Sequence, residues 1–314
     1  MNSGLLAITL QTLLLLGLAP LVSGLIKNWK AKLQNRRGAR VWQPYFDLLK
    51  FFRKDMVVSE HASWIFRAAP AVLFLSALTA GLLVPLATTQ APLGVFGGAL
   101  ALVGLLALGR FFLALGGLDP ASAFGGMGSS REMTIAALAE PAMMLAIFTL
   151  ATTAGSTSLD QIVQTGRAAG WGLADPSRVL ALVAMFIVLL AETGRIPVDN
   201  PATHLELTMI HEAMLLEYSG RGLALMEWGA SIKQLVLMAL LANLFFPIGL
   251  AVAVTPASFT LGVAWFAAKL VVIAGVVVVV EFTNAKLRLF RVPDLLSAAF
   301  MLATLALVST FLFK

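Results

Sequence analysis

Residues 179–220 place a concentration of acid at the end of an apolar segment: they read VLALVAMFIVLLAETGRIPVDNPATHLELTMIHEAMLLEYSG. Pro197 and Pro201 end the helical pattern soon after the apolar run, because proline lacks the amide hydrogen that an interior helix position donates. The acidic residues beyond the run are Glu192, Asp199, Glu206, Glu212 and Glu217. Carboxylates crowded together repel one another, so some of them are expected to accept and release protons near neutral pH.

The whole chain has the composition of a polytopic membrane protein. It has 314 residues, 59% of them hydrophobic and 12% charged, with a mean hydropathy of +0.91. Apolar runs recur along the chain, each with a length close to the ~20 residues that a helix needs to span a bilayer. They predict an all-α integral membrane fold, a single polytopic domain over residues 1–314 with eight transmembrane helices at 4–26, 64–88, 93–116, 132–154, 177–194, 228–252, 258–282 and 292–312.

Basic residues between the spans define the predicted topology. The connections 27–63, 117–131, 195–227 and 283–291 fall on one side of the membrane and hold most of the lysines and arginines. The positive-inside rule places these loops in the cytoplasm and both termini outside. The net charge of +6 is explained by this topology, so no nucleic-acid partner is predicted.

Residues 41–54, VWQPYFDLLKFFRK, are too short and too charged to span a bilayer. Val41, Tyr45, Leu48, Leu49 and Phe52 recur at helical spacing, and charged side chains occupy the other faces. The pattern predicts an amphipathic helix lying in the membrane interface, which is compatible with packing on a partner subunit.

Several charged residues lie within or at the edge of the predicted spans. Each costs roughly 2.5–3.5 kcal/mol at the centre of a membrane, so such residues usually face a protein interior or a wet cavity. Glu140 is the deepest carboxylate, and Pro141 after it predicts a kink that admits water. Snorkelling or helix capping is an alternative for the residues near helix ends, and the lysines are expected to offset buried carboxylates. The set comprises Arg110, Glu132, Glu140, Glu192, Lys233, Lys269 and Glu281, mostly in the cytoplasmic half of the predicted topology.

Two connections carry local structural predictions. Residues 117–131 are glycine-rich but lack the GK[ST] of a phosphate-binding loop. They are predicted to form a flexible loop, with Ser129 or Ser130 capping the fourth helix. Residues 202–216 are predicted to form a short helix near the membrane surface.

The chain lacks the residues that hold an electron carrier. It has no cysteine, and none of its three histidines lies inside an apolar run. These facts exclude a cysteine-ligated iron–sulfur cluster and disfavour a haem within the bilayer. His204 and His211 share a helix face with Glu206 nearby, but no third strong ligand has metal-site spacing, so no metal site is predicted.

Several motifs make the chain resemble a known family. ETGRIPVDNPATHLEL (192–207) and EYSGRGLALMEWG (217–229) resemble the signature of subunit 1 of respiratory complex I, the NADH-quinone oxidoreductase. NRRGARVWQPYFDLLKFFRK (35–54), GLDPASAFGGMGSSREMTIAALAEP (117–141) and NAKLRLFRVP (284–293) are closer to one branch of that family. This branch comprises the membrane-anchor subunits of group 4 membrane-bound hydrogenases, of the hydrogenase-4 component C and formate hydrogenlyase subunit 4 type.

Differences from the complex I subunit favour the hydrogenase-type branch. Ala202 and His204 stand where complex I usually has further acids, and Gly194 stands where it usually has asparagine. The stretch between Glu206 and the EYS triplet is also longer here. In the hydrogenase-type branch electrons go to protons rather than to quinone.

The resemblance implies a non-catalytic subunit that docks a peripheral electron-transfer arm onto a membrane ion-pumping arm in a bacterial or archaeal cytoplasmic membrane. It implies hydrogenase-like large and small subunits, an iron–sulfur subunit and antiporter-like membrane subunits as partners. Iron–sulfur clusters and a NiFe centre would then belong to the partners and no cofactor to this chain, with quinone binding left open. The implied cavity and ion path adds Arg195, Asp199, Glu206, Glu212 and Glu217 to the charged residues of the spans. The implied docking residues are Arg36, Arg37, Gln43, Asp47, Lys50 and Arg131.

Three other functions remain open at this point. A quinone-binding subunit of a proton-pumping NADH-quinone oxidoreductase predicts inhibitor-sensitive quinone binding. A cation transporter predicts ion flux through the purified chain alone, although no paired broken helices or repeat halves are evident. In a structural anchor, the acids only balance the lysines.

Overall fold

The computed structural model of the chain describes residues 2–168, 175–200, 209–252 and 255–312. Within these ranges the ordered elements are helices. Their bounds are α1 Asn2–Leu33, α2 Gln43–Phe52, α3 Trp64–Leu83, α4 Ala99–Leu118, α5 Ala123–Ala154, α6 Leu159–Ala168, α7 Pro176–Glu192, α8 His211–Leu215, α9 Gly220–Phe245, α10 Pro256–Thr283 and α11 Val292–Leu312. The prediction of an all-α membrane fold is confirmed.

Seven described helices are long and apolar enough to cross a membrane: α1, α3, α4, α5, α9, α10 and α11. The remaining predicted span corresponds to α7, which has 17 residues. That length lies at the lower limit of about 17–25 residues for a spanning helix. The eighth crossing therefore stays a prediction that rests on α7.

The glycine-rich stretch 117–131 is mostly helix, so the prediction of a flexible loop there is wrong. α5 begins at Ala123, and its N-cap is Ser122, whose side chain accepts a hydrogen bond from the Gly125 amide. A Cβ added at Gly125 would lie 2.1 Å from the carbonyl oxygen of Gly117. Glycine here allows the backbones of α4 and α5 to approach closely, as small residues do at membrane helix interfaces.

Three smaller predictions of local structure have different outcomes. Ser129 lies inside α5 and donates to the Ala114 carbonyl, so neither it nor Ser130 caps the helix. α5 continues through Pro141 to Ala154 as one helix, and the kink at Pro141 stays a prediction. Of the predicted helix over 202–216, residues 211–215 form α8, residues 209 and 210 are not helical, and residues 202–208 lie outside the described ranges.

The predicted short helix over 41–54 is confirmed as α2. It has no buried residue, and it packs on α1 and α9 through contacts such as the edge-to-face pair of Phe52 and Trp228. The Tyr45 hydroxyl donates to the Gly17 carbonyl of α1. Its position in the membrane interface stays a prediction.

The connections between helices gather at two ends of the bundle. Residues 34–63, 119–122, 193–200, 209–219 and 284–291 meet at one end, which we call the basic face. Hydrogen bonds join these connections there, such as the Ser63 amide to Asp119 at 2.6 Å and the Leu287 amide to the Pro197 carbonyl at 2.8 Å. At the opposite face, the Thr89 amide donates to the Ala251 carbonyl at 3.0 Å. The main hydrophobic core lies between the two faces and includes Leu102, Met143, Met185 and Leu240.

Candidate ion-translocation site

Arg110 is the centre of a buried cluster of charges inside the bundle. It projects from α4, and its side chain is 3% exposed. Two of its guanidinium nitrogens bind Glu140 of α5 and Glu192 of α7, and its Nε lies 3.6 Å from Glu132 Oε1, also of α5. Two neighbouring helices therefore present three carboxylates to one arginine of α4, whose planar fork suits simultaneous contacts.

A lysine completes this arrangement, which we call the Arg110 cluster: Arg110, Lys233, Glu132, Glu140 and Glu192. Lys233 Nζ of α9 lies 2.8 Å from Glu192 Oε2. With every group ionised, three carboxylates face two cations, so the cluster carries one net negative charge. Glu192 is the least exposed carboxylate, with 2% of its side chain accessible, and Glu140 the most exposed, with 27%.

A second buried network, the Arg195 network, ties the basic face to three helices. Arg195, just beyond α7, lies 2.8 Å from Glu281 Oε1, and Lys30 of α1 lies 2.7 Å from Glu281 Oε2. Arg195 also donates to Gln234 Oε1 at 3.0 Å. Gln234 follows Lys233 in α9, so this helix contributes one side chain to the Arg110 cluster and the next to the Arg195 network.

Asp199 fixes the connection that follows α7. Its Oδ1 accepts from Lys286 Nζ at 2.6 Å and from the Asn200 amide at 2.8 Å. Its Oδ2 accepts from the Ile210 amide at 3.2 Å. Asp199 thereby joins the connections before α8 and before α11 at the basic face.

Twelve residues were predicted to line the cavity or to take part in ion translocation. The structure brings eight of them together, in two clusters and one ion pair. These are Arg110, Glu132, Glu140, Glu192 and Lys233, then Arg195 and Glu281, then Asp199. The alternative that Arg110, Glu132 and Glu281 snorkel to the membrane surface or cap a helix does not hold, because all three side chains are buried and paired.

The remaining predicted residues stand apart from these clusters. Glu217 is exposed between α8 and α9, and Glu212 is half-buried in α8. Glu206 and His204 lie outside the described residues. Lys269 was expected to offset a carboxylate, but its ammonium instead donates to the side-chain oxygen of Asn243 at 2.9 Å.

The predicted docking residues lie at the basic face with different degrees of exposure. Arg36, Arg37 and Lys50 are exposed, whereas Gln43 and Asp47 are half-buried and hydrogen-bonded to each other at 3.0 Å. Arg131 is half-buried and donates to the Met209 carbonyl at 2.9 Å. In the described ranges, His, Asp and Glu form no group of three or more with metal-binding geometry.

Sequence reasoning missed four polar or charged residues that are buried or half-buried. Lys30 and Gln234 belong to the Arg195 network and Asn243 binds Lys269, and their partners are far away in the sequence. Glu227 is half-buried in α9. It was missed because the predicted span began at residue 228, whereas α9 begins at Gly220.

The chain is similar to proteins of known families over nearly its full length. The profile of the NADH dehydrogenase family matches residues 5–312. Hydrogenase-4 component C of Escherichia coli (strain K12) is 38% identical, over 95% of this chain and 93% of that protein. Formate hydrogenlyase subunit 4 of the same strain is 37% identical over 96% of each chain. The H-type subunit of the NADH-quinone oxidoreductase of Phenylobacterium zucineum (strain HLK1) is 31% identical, over 74% of this chain and 68% of that protein.

A solved structure shares the fold. A chain from the membrane-bound sulfane sulfur reductase, an archaeal respiratory membrane complex, superposes with a TM-score of 0.84. The match covers 98% of this chain and 99% of that chain, at 18% sequence identity. The helical arrangement is therefore shared across proteins whose sequences differ widely.

Proposed function

The chain belongs to the NADH dehydrogenase family, and we propose that it is the membrane subunit of a complex I-like respiratory oxidoreductase of the hydrogenase type. The hydrogenase type is favoured because the two relatives from hydrogenase-4 and formate hydrogenlyase match almost end to end, at 37–38% identity. The relative from NADH-quinone oxidoreductase matches less of the chain at lower identity. The subunit itself is non-catalytic, and electrons flow in its partners.

The observation that carries the coupling role is the Arg110 cluster. Burying charged groups is costly, and replacing a buried ion pair by apolar residues is often neutral or stabilising. Five charges from four helices are therefore a poor way to hold a bundle together, which favours a functional reason for them. The excess of one carboxylate over the cations lets the cluster accept one proton and become neutral.

Arg110 supplies a physical means of passing a proton between carboxylates. A carboxylate that gains a proton loses its attraction for the guanidinium, so Arg110 then binds the remaining two more strongly. Glu140, the most exposed member, is the entry point, and Glu192 is the interior member shared with Lys233. Redox steps in the partner arm would bias this exchange and so drive proton or sodium movement.

The path from the basic face to the cluster uses the other carboxylates. Asp199, Glu281 and Arg195 lie at its start, and Glu206, Glu212, Glu217 and Glu227 extend it as proposed members. Gln234 and Lys233, neighbours in α9, connect the Arg195 network to the Arg110 cluster. The family resemblance supports part of this path, because it implies a cavity mouth and an ion path that include Glu192, Arg195, Asp199, Glu206 and Glu217.

The partners follow from the family and the exposed basic face. We propose hydrogenase-like large and small subunits and an iron–sulfur subunit, which carry the iron–sulfur clusters and a NiFe centre, together with antiporter-like membrane subunits. The peripheral arm docks on 27–63, 117–131 and 195–227, with Arg36, Arg37, Gln43, Asp47, Lys50 and Arg131 at the contact. These regions face the cytoplasm in a bacterial or archaeal cytoplasmic membrane, with both termini outside.

The test is to purify the intact complex in mild detergent through a tag on this chain, identify its subunits and measure bound nickel. Nickel together with a hydrogenase-like large subunit is the expected result. A complex I-like arm without nickel would replace the hydrogenase type by a quinone-reducing or another acceptor type. A chain that purifies alone and carries ion flux in vesicles would overturn the proposal in favour of a cation transporter.

A further inference from the structure

Lys269 is a charged residue deep in α10 that the ion path does not use. It lies 13 residues from the first residue of a 28-residue helix, which is about 20 Å along the axis at 1.5 Å per residue. The helix is otherwise strongly apolar, with a mean hydropathy of 2.6 over its most apolar 18 residues. A lysine at this depth needs partners for its charge, because lipid offers none.

Asn243 provides one partner and holds it in a fixed orientation. Its side-chain nitrogen donates to the carbonyl oxygens of Pro85 and Leu86 at 2.8 and 3.0 Å. Its side-chain oxygen therefore points towards Lys269 and accepts at 2.9 Å. Asn243 is fully buried, so this acceptor is built into the end of α9.

A neutral amide satisfies only part of what Lys269 requires. An ammonium group carries three N–H donors and a full positive charge. The lysines that form ion pairs among the described residues are Lys30, Lys233 and Lys286, and each faces a carboxylate. Within the same ranges, Lys269 has no carboxylate within ion-pair distance.

The position of Lys269 on α10 shows where another partner could approach. α10 packs against α1 and α9, and its opposite face is exposed. Trp265, one turn before Lys269, is 47% exposed, and Val272, one turn after it, is 65% exposed. Phe266 and Leu270 beside them are buried. Lys269 thus lies at the border between the packed face and the exposed face.

We propose that the exposed face of α10 around Lys269 is a docking surface for a transmembrane helix of a neighbouring subunit that carries an aspartate or glutamate at the depth of Lys269. This inference rests on the proposed function, since it requires further membrane subunits. Charge complementarity selects the partner: a carboxylate can bind the two N–H groups that Asn243 leaves and neutralise the ammonium. Trp265 and Val272 supply the apolar contacts on either side.

The first test compares the subunit content of complexes purified through this chain with Lys269→Met, Lys269→Arg or Arg288→Met. The last variant removes an exposed charge from the connection 284–291, outside the proposed docking regions, and serves as the control. We expect Lys269→Met to lower the ratio of one membrane subunit to this chain about tenfold, or ~1.4 kcal/mol of association free energy. Lys269→Arg and Arg288→Met should keep the membrane subunits, and peripheral subunits should stay with Lys269→Met.

Unchanged membrane subunits in Lys269→Met would overturn the inference while leaving the proposed function intact. A wild-type chain that purifies without any partner would instead overturn the proposed function, and the docking surface with it. Equal amounts of chain in the membrane fraction for each variant exclude a folding defect as the cause of subunit loss.

The second test identifies the partner by zero-length crosslinking of the wild-type complex with a membrane-permeant carbodiimide. The reagent activates a carboxyl group, Lys269 Nζ attacks the carboxyl carbon and forms an amide, and the reagent leaves as its urea with the carboxyl oxygen. The expected product joins the Lys269 peptide to an aspartate or glutamate in a transmembrane segment of another subunit. A product with a carboxyl-bearing lipid headgroup, or with a peptide of this same chain, would refute the proposal.

Discussion

Replacement of Arg110 by methionine is expected to destabilise the bundle more than any other single change in the Arg110 cluster. Methionine fills the space of the aliphatic stem of arginine but has no charge. Glu192 would keep Lys233, whereas Glu132 and Glu140 would lose the one cation that pairs with them among the described residues. Removing one partner of a buried ion pair costs about 3–5 kcal/mol, because it leaves an uncompensated buried charge. At an unfolding entropy of about 2.1 cal/mol/K per residue, 1 kcal/mol shifts the midpoint of a 314-residue chain by about 1.5 °C, so the unfolding midpoint should fall by roughly 4–8 °C.

Lys233→Met is the matched control for this measurement. Glu192 would keep Arg110, and among the described residues Lys233 forms an ion pair with Glu192 alone, so the midpoint should fall by less than half as much. The assay is intrinsic tryptophan fluorescence during heating of the purified chain in detergent. Equal shifts in the two variants, or an unchanged midpoint in Arg110→Met, would refute the assignment of Arg110 as the central cation.

Two further predictions concern packing and pH. Gly125→Ala should destabilise the chain by about 1–3 kcal/mol, because the added Cβ would lie 2.1 Å from the Gly117 carbonyl oxygen. Gly126→Ala is the control, since the nearest atom to its added Cβ is 3.9 Å away. Equal unfolding midpoints for the two variants would contradict the close approach of α4 and α5. Burial raises the pKa of Asp160 in α6, which lies outside the spanning helices and accepts from the Ala91 amide at 2.9 Å. A carboxyl whose pKa is raised by folding contributes fully to the stability of the folded state when the pH is below its unfolded pKa. This contribution is lost as the pH rises through its folded pKa. Asp160→Asn keeps the acceptor oxygen and removes the charge. The stability of this variant relative to wild type should therefore rise as pH increases through the folded pKa of Asp160. A difference in unfolding midpoint that does not change with pH would contradict this explanation.

The fold could be predicted from the sequence because the bilayer imposes a length and a polarity on each span. Helix starts were harder, since glycine and serine were read as loop residues. Gly117 and Gly125 form a close helix contact, and Ser129 is buried inside α5, so tertiary packing overrode the local preference. The same bias placed the start of the sixth predicted span after Glu227, although α9 begins at Gly220.

The members of the Arg110 cluster could be predicted, whereas their pairing could not. The cost of burying a charge marks Arg110, Glu140 and Glu192 individually. Which carboxylates meet Arg110 depends on how α4, α5 and α7 pack, and the paired residues are 30 and 82 positions apart in the chain. For Lys269 the predicted type of partner was wrong. The cost of burying a charge predicted a carboxylate partner within the chain, and the structure places the side chain of Asn243 there.

The most direct test of the coupling role is the number of ions moved per pair of electrons by the intact complex in sealed vesicles, with Glu140→Gln compared with wild type. Glutamine keeps the size and the acceptor oxygen but cannot bind and release a proton. A single proton-transfer group contributes about 10²–10⁴-fold to the rate of proton transfer, so the number of ions moved per pair of electrons should fall at least about tenfold while electron transfer in the peripheral arm continues. Asp294→Asn, at an exposed position of α11, should pump as wild type. Full pumping by Glu140→Gln would contradict the proposal that the Arg110 cluster carries the coupled proton.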